Sequence, residues 1–77
     1  MWQETKEGLY RRFEFADFNQ AFAFMTKVAE VAEREQHHPR WTNEWNKVEI
    51  WLSTHEASGG ITDKDRDLAK FIDEVSI

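Results

Sequence analysis

No cysteine occurs among the 77 residues, proline occurs once and glycine three times. Without a thiol there is no disulfide to staple the chain, no thiolate nucleophile and no sulfur ligand for a metal. Long apolar runs are missing too. None approaches the roughly 20 residues that would span a bilayer, so no membrane partner is expected. Met1-Trp2-Gln3-Glu4 lacks a basic segment followed by an apolar stretch, so no signal peptide is expected. A basic excess is also lacking: the net charge is −5. Phosphate backbones need a basic surface, which argues against direct nucleic-acid binding and suits an acidic cytoplasmic protein. With no repeat, low-complexity tract or linker, residues 1–77 are expected to form a single domain.

Aromatic residues are plentiful at 14%, with four Trp and six Phe. A chain this short has a thin core. Large rings compensate because each buries a large apolar area. Small size and many rings together point to oligomerisation, which adds burial that one chain cannot supply.

The apolar periodicity predicts strand, strand, helix, strand, strand, helix. Trp2 to Lys6 is a short strand and Glu7-Gly8 a turn. Leu9 to Phe15 alternates, with Leu9, Phe13 and Phe15 on one face and Arg11 interrupting it. Asp17 is a good N-cap for a helix running to Gln36. Phe18, Ala21, Phe22, Met25, Val28, Ala29 and Ala32 make its apolar face. Phe24 and Val31 fall beyond that face, which suggests a second partner such as another subunit's helix. Pro39 ends the helix and keeps His38 extended. Trp41 to Trp45 forms a strand, Asn46-Lys47 a turn, and Val48, Ile50, Leu52 and Thr54 face one way on the next strand. Ser58-Gly59-Gly60 is a loop. Thr62 caps a last helix, Asp65 completes a capping box, and Leu68, Ala69, Ile72 and Val75 face inward, with Phe71 flanking. The expected class is α+β: a four-stranded antiparallel sheet with two helices packed on one face.

All three histidines fall at the ends of elements: His37 and His38 where the first long helix stops, His55 where the fourth strand stops. Imidazole titrates near neutrality. Carboxylates nearby and the absence of thiols point to metal-free acid/base chemistry. Zinc is the rival reading, yet zinc sites usually add Cys or a well-placed carboxylate. Adjacent His37 and His38 would also need a contorted backbone to grip one ion. Glu33 stands one helical turn before His37, so the two share a surface if the helix persists that far. Otherwise it is a solvated carboxylate. Asp65 is either a structural cap residue or a partner for an imidazole. Trp41 and Trp51 either stack on a planar ligand or simply pack.

Phe13-Glu14-Phe15-Ala16-Asp17-Phe18, Ala21-Phe22-Ala23-Phe24-Met25, Ala32-Glu33, His37-His38-Pro39, Trp41, Asn46-Lys47-Val48, Thr54-His55 and Asp65, Leu68-Ala69 resemble the pterin-4a-carbinolamine dehydratases. The resemblance covers nearly the whole chain. Its most specific element is Glu-x3-His-His-Pro-x-Trp followed by Thr-His at a strand end. Animal members of that family double as dimerisation cofactors of a homeodomain transcription factor. Longer members carry an N-terminal helix before the position of Trp2, which this sequence lacks.

The resemblance implies dehydration of a 4a-hydroxytetrahydropterin to a quinonoid dihydropterin, recycling the pterin of aromatic amino acid hydroxylases. It places the active site at His37, His38, His55, Glu33 and Asp65, with His38, Pro39, Trp41 and Thr54 at the substrate. His37 and His55 are expected to act as acids on the departing hydroxyl and His38 to orient the pterin. No cofactor or metal is implied. A homodimer or homotetramer is implied, joined through sheet edges and the long helix, with a functional link to a hydroxylase. Competing readings are a non-catalytic dimerisation or stabilising scaffold and a protein that binds pterin without turning it over.

Overall fold

The computed structural model describes residues 1–54 and 60–75. Six elements follow one another: β1 Gln3–Thr5, β2 Gly8–Glu14, α1 Phe18–Glu35, β3 Arg40–Glu44, β4 Lys47–Leu52 and α2 Asp63–Asp73. The strands form one antiparallel sheet in the order β1-β2-β4-β3. This is the α+β architecture expected from the alternation and the two helical periods.

Strand alternation puts Leu9, Val48, Ile50 and Leu52 on one face, where they are buried together with Ala21, Phe24 and Val28 of α1 and Leu68, Ala69 and Ile72 of α2. Both helices therefore cover the same side of the sheet. The other side carries Tyr10, Glu49, Trp51 and Arg40, with no helix of the described residues across it. Arg11, which breaks the apolar pattern, points to the helix side. Its guanidinium lies 4.6 Å over Phe13 and bonds Asp73 of α2 at 2.7 Å.

Both hairpin turns fall one residue earlier than the pattern predicts. Thr5 pairs with Gly8, so the first turn is Lys6-Glu7. Gly8 belongs to β2, with φ of 119°, and a Cβ there would meet the Leu52 carbonyl oxygen at 2.1 Å. Glycine is thus required by the close approach of β4, not by the turn. Glu44 pairs with Lys47, so the second turn is Trp45-Asn46. Buried Asn46 is held by the segment after β2: its Nδ2 donates to the Phe15 carbonyl at 2.8 Å, and Phe15 N–H donates to the Asn46 carbonyl at 2.9 Å. Trp45 takes the strained position, with φ of 51°, and projects into solvent instead of continuing the strand, which stops at Glu44.

Asp17 caps α1, its Oδ1 accepting from Gln20 N–H at 2.9 Å. The buried stripe is Ala21, Phe24, Val28 and Ala32, rotated about the axis from the expected face. Phe24 is 4% exposed and packs on Phe13 and Phe15 at 4.7 and 5.0 Å. Val31 also packs against the core. The interface assignment of Phe24 and Val31 is therefore corrected: Phe18 and Phe22, 44% and 54% exposed and stacked on each other, face outward along with Ala29. The sequence offers apolar residues nearly all round the first turns of this helix. The phase is decided by Phe13 of β2 and Phe15 just beyond it, against which the Phe24 ring packs.

Candidate active site

The chain leaves α1 through Gln36, whose left-handed backbone (φ of 52°) lets its N–H reach the Ala32 and Glu33 carbonyls. The helix has thus ended before Pro39. His37 N–H still bonds the Ala32 carbonyl at 3.1 Å, which keeps His37 against the body of the protein. This turn separates the two imidazoles. His37 points inward and His38 outward.

His37 Nε2 lies 2.5 Å from Asp65 Oδ1, and Asp65 is fully buried. The other oxygen of that carboxylate accepts from the Thr54 hydroxyl and from Thr62 N–H, each at 2.8 Å. Thr54 and Thr62 hydroxyls are 2.7 Å apart. Since the Thr54 proton goes to Asp65, Thr62 must be the donor to Thr54. Asp65 is thus both capping-box residue and imidazole partner; the two readings coexist on different oxygens. The carboxylate fixes the proton of His37 on Nε2 and leaves Nδ1 as the nitrogen available for other work.

Glu33 does not share a surface with His37, because the helix does not persist that far. It pairs with His38 instead, Nε2 to Oε1, at 2.8 Å. That bond, then the Gln36 amide, then the His38 charge hold the Glu33 carboxyl below its ordinary range.

Beside His38 opens a cleft of about 440 Å³ lined by Glu7, His38, Pro39, Arg40, Trp51 and Ser53. That size is within the usual range for small-molecule sites. Trp51 is on this side. Trp41 is not: it pairs with Ile50 on the helix side of β3 and packs against the core. Thr54 is buried against Asp65 and does not line the cleft. The structure therefore groups His37, Asp65 and Thr54 in one buried cluster. His38 and Glu33 pair at the surface, and His38 and Pro39 line the cleft. His55 and the Ser58-Gly59 part of the loop lie outside the described residues. Sequence reasoning left Glu7, Arg40 and Ser53 out of the site. They come together only through the strand register, although Arg40 stands inside the Pro39-Arg40-Trp41 element.

A family model described as "Pterin 4 alpha carbinolamine dehydratase" matches residues 1–75. This chain belongs to the pterin-4a-carbinolamine dehydratase family. It is 52% identical over 77 residues to a protein of Paraburkholderia xenovorans named "Putative pterin-4-alpha-carbinolamine dehydratase", spanning 97% of this chain and 79% of that protein. Among solved structures, a transcriptional coactivator/pterin dehydratase from Brucella melitensis superposes with a TM-score of 0.86 at 39% identity, over 94% of this chain and 78% of that one. A second, a pterin dehydratase-like protein described as a RuBisCO assembly factor in the alpha-carboxysome, gives 0.79 at 25% identity, over 94% and 84% of the two chains. Among the described residues, no helix is long and apolar enough to cross a membrane.

Proposed function

We propose that this chain is a hydro-lyase that removes water from a 4a-hydroxytetrahydropterin to give the quinonoid dihydropterin. The observation that carries the reading is the buried Asp65 carboxylate bonded to His37 Nε2, one residue along the chain from His38 at the cleft. The C4a–O bond breaks, and hydroxide leaves poorly unless protonated. An imidazolium at His37 gives its Nδ1 proton to the departing oxygen while Asp65 retains the Nε2–H bond. A ring N–H of the pterin loses its proton to a base or to water, so the net change is loss of one water. General acid/base help of this kind contributes about 10²–10⁴-fold.

His55 acts as the second acid, His38 binds and orients the pterin, and Glu33 holds the His38 tautomer. No metal or cofactor enters the scheme. The enzyme works in the cytoplasm as a homodimer or homotetramer and returns pterin to an aromatic amino acid hydroxylase.

A second reading, a non-catalytic scaffold that stabilises a partner, is favoured by the likeness to the RuBisCO assembly factor. Ultraviolet absorbance decides between them. Purified protein should accelerate carbinolamine loss, and His37→Ala and His55→Ala should each slow it by about 10²-fold or more while the fold survives. Loss at the uncatalysed rate with the wild-type chain would leave the scaffold.

A further inference from the structure

Arg40 opens β3, and its guanidinium lies 4.2 Å over the Trp51 ring on the neighbouring strand, the two residues being register partners. Both line the cleft with His38. Stacking fixes the plane of the guanidinium and, with it, the direction of its N–H groups. Those donors make no hydrogen bond to any described residue. The nearest carboxylate, Glu7 across the cleft mouth, is 3.9 Å away, beyond hydrogen-bond reach, and both side chains are exposed. Such a fork, stacked on an indole and with its N–H donors free of hydrogen bonds to described residues, fits the paired oxygens of a carboxylate. The pterin ring has no anionic group of its own, so the anion must be on a substituent.

We propose that Arg40, positioned by Trp51, is a specificity-determining residue that selects pterins with an anionic carboxylate-type substituent trailing away from the histidines. This rests on the pterin reading of the cleft and names the substrate class within it. Glu7 acts against it: its carboxylate competes for Arg40 and must be displaced.

The test is calorimetric binding of two stable oxidised pterins, 6-carboxypterin and 6-methylpterin, to the full chain. The wild type should prefer the carboxylate by about tenfold, the value of one charge-assisted contact. In Arg40→Gln the two affinities should converge to within about threefold, Arg40→Lys should restore part of the preference, and Glu7→Gln should widen it. Equal affinities in the wild type, or an unchanged ratio in Arg40→Gln with an unaltered urea midpoint, would overturn the proposal. Carbinolamine turnover is scored separately. A wild type that shows the preference but no turnover sinks the dehydratase reading and leaves the Arg40 assignment standing.

Discussion

His37 and Asp65 tie the exit of α1 to the first turn of α2 through one imidazole–carboxylate contact of 2.5 Å. Because Asp65 also accepts from Thr54 and Thr62, the carboxylate that holds the His37 imidazole is the one that starts the second helix. Under the proposed mechanism, catalysis and folding are coupled at one side chain. Asp65→Ala should lower stability by roughly 2–4 kcal/mol, combining a lost cap with buried donors left unpaired. Asp65→Asn should destabilise less and still lose turnover, since the imidazolium is no longer matched by a charge. Urea unfolding at constant m and the absorbance assay measure the two effects. Normal turnover in Asp65→Asn would remove the carboxylate from the mechanism.

The two faces of α1 should respond differently to truncation. Phe24→Ala empties a buried ring site between Phe13 and Phe15 and should cost about 3–5 kcal/mol. Phe22→Ala removes an exposed ring and should leave single-chain stability nearly unchanged. If the long helix pairs subunits, the same change should weaken self-association in sedimentation. The opposite ranking in urea would restore the face expected from periodicity.

The single tyrosine gives a clean pH readout. The Tyr10 hydroxyl donates to Glu49 Oε2 at 2.6 Å, and that bond first, then burial, then the Glu49 charge raise its pKa above 10.0, with Arg12 opposing. A raised folded-state value means that this stabilisation is complete below pH 10 and is lost as pH climbs through the folded midpoint. Tyrosinate absorbance should show a midpoint above 10. Glu49→Gln should bring it back down, and a wild-type midpoint at or below the ordinary value would contradict the pair.

Glu33 shows the opposite sign. His38 holds its carboxyl below the ordinary value of 4.5, so the interaction is fully present above 4.5 and disappears as pH falls through the lower folded value. Carboxyl carbon chemical shifts should titrate below 4.5 in the wild type and move up in His38→Ala. No movement would mean the pair is not formed in solution.

Gly8→Ala should be disruptive well beyond an ordinary surface change. Backbone strain at positive φ costs about 1–3 kcal/mol, and the added carbon would also collide with the Leu52 carbonyl. The thermal midpoint should drop by several degrees or more. A neutral result would mean that β2 and β4 separate easily at this corner.

The elements and their order were legible because period 2 and period 3.6 alternate cleanly between Asp17 and Thr62, both real caps. The first turn slipped because Gly8 resembles a turn residue yet lies in β2 to avoid a carbonyl; the second because Asn46 closes its turn, bonded to Phe15, instead of opening it. The helix phase was hidden because Phe18, Phe22 and Phe24 are chemically alike, and only the rings of Phe13 and Phe15 choose among them. Spacing suggested Glu33 with His37, but the left-handed Gln36 turns the chain and delivers His38 to Glu33 instead. Asp65 was visible as a cap. Its bond to His37 spans 28 residues and is created by the packing of α1 on α2.

The indole beneath Arg40 also makes the cleft self-reporting. Trp51 is the tryptophan that lines it, whereas Trp45 stands in solvent at the hairpin tip. A molecule entering the cleft would disturb the emission of the first and spare the second. Titrations can then be followed by intrinsic fluorescence on unlabelled protein, with Trp51→Phe as the silent control.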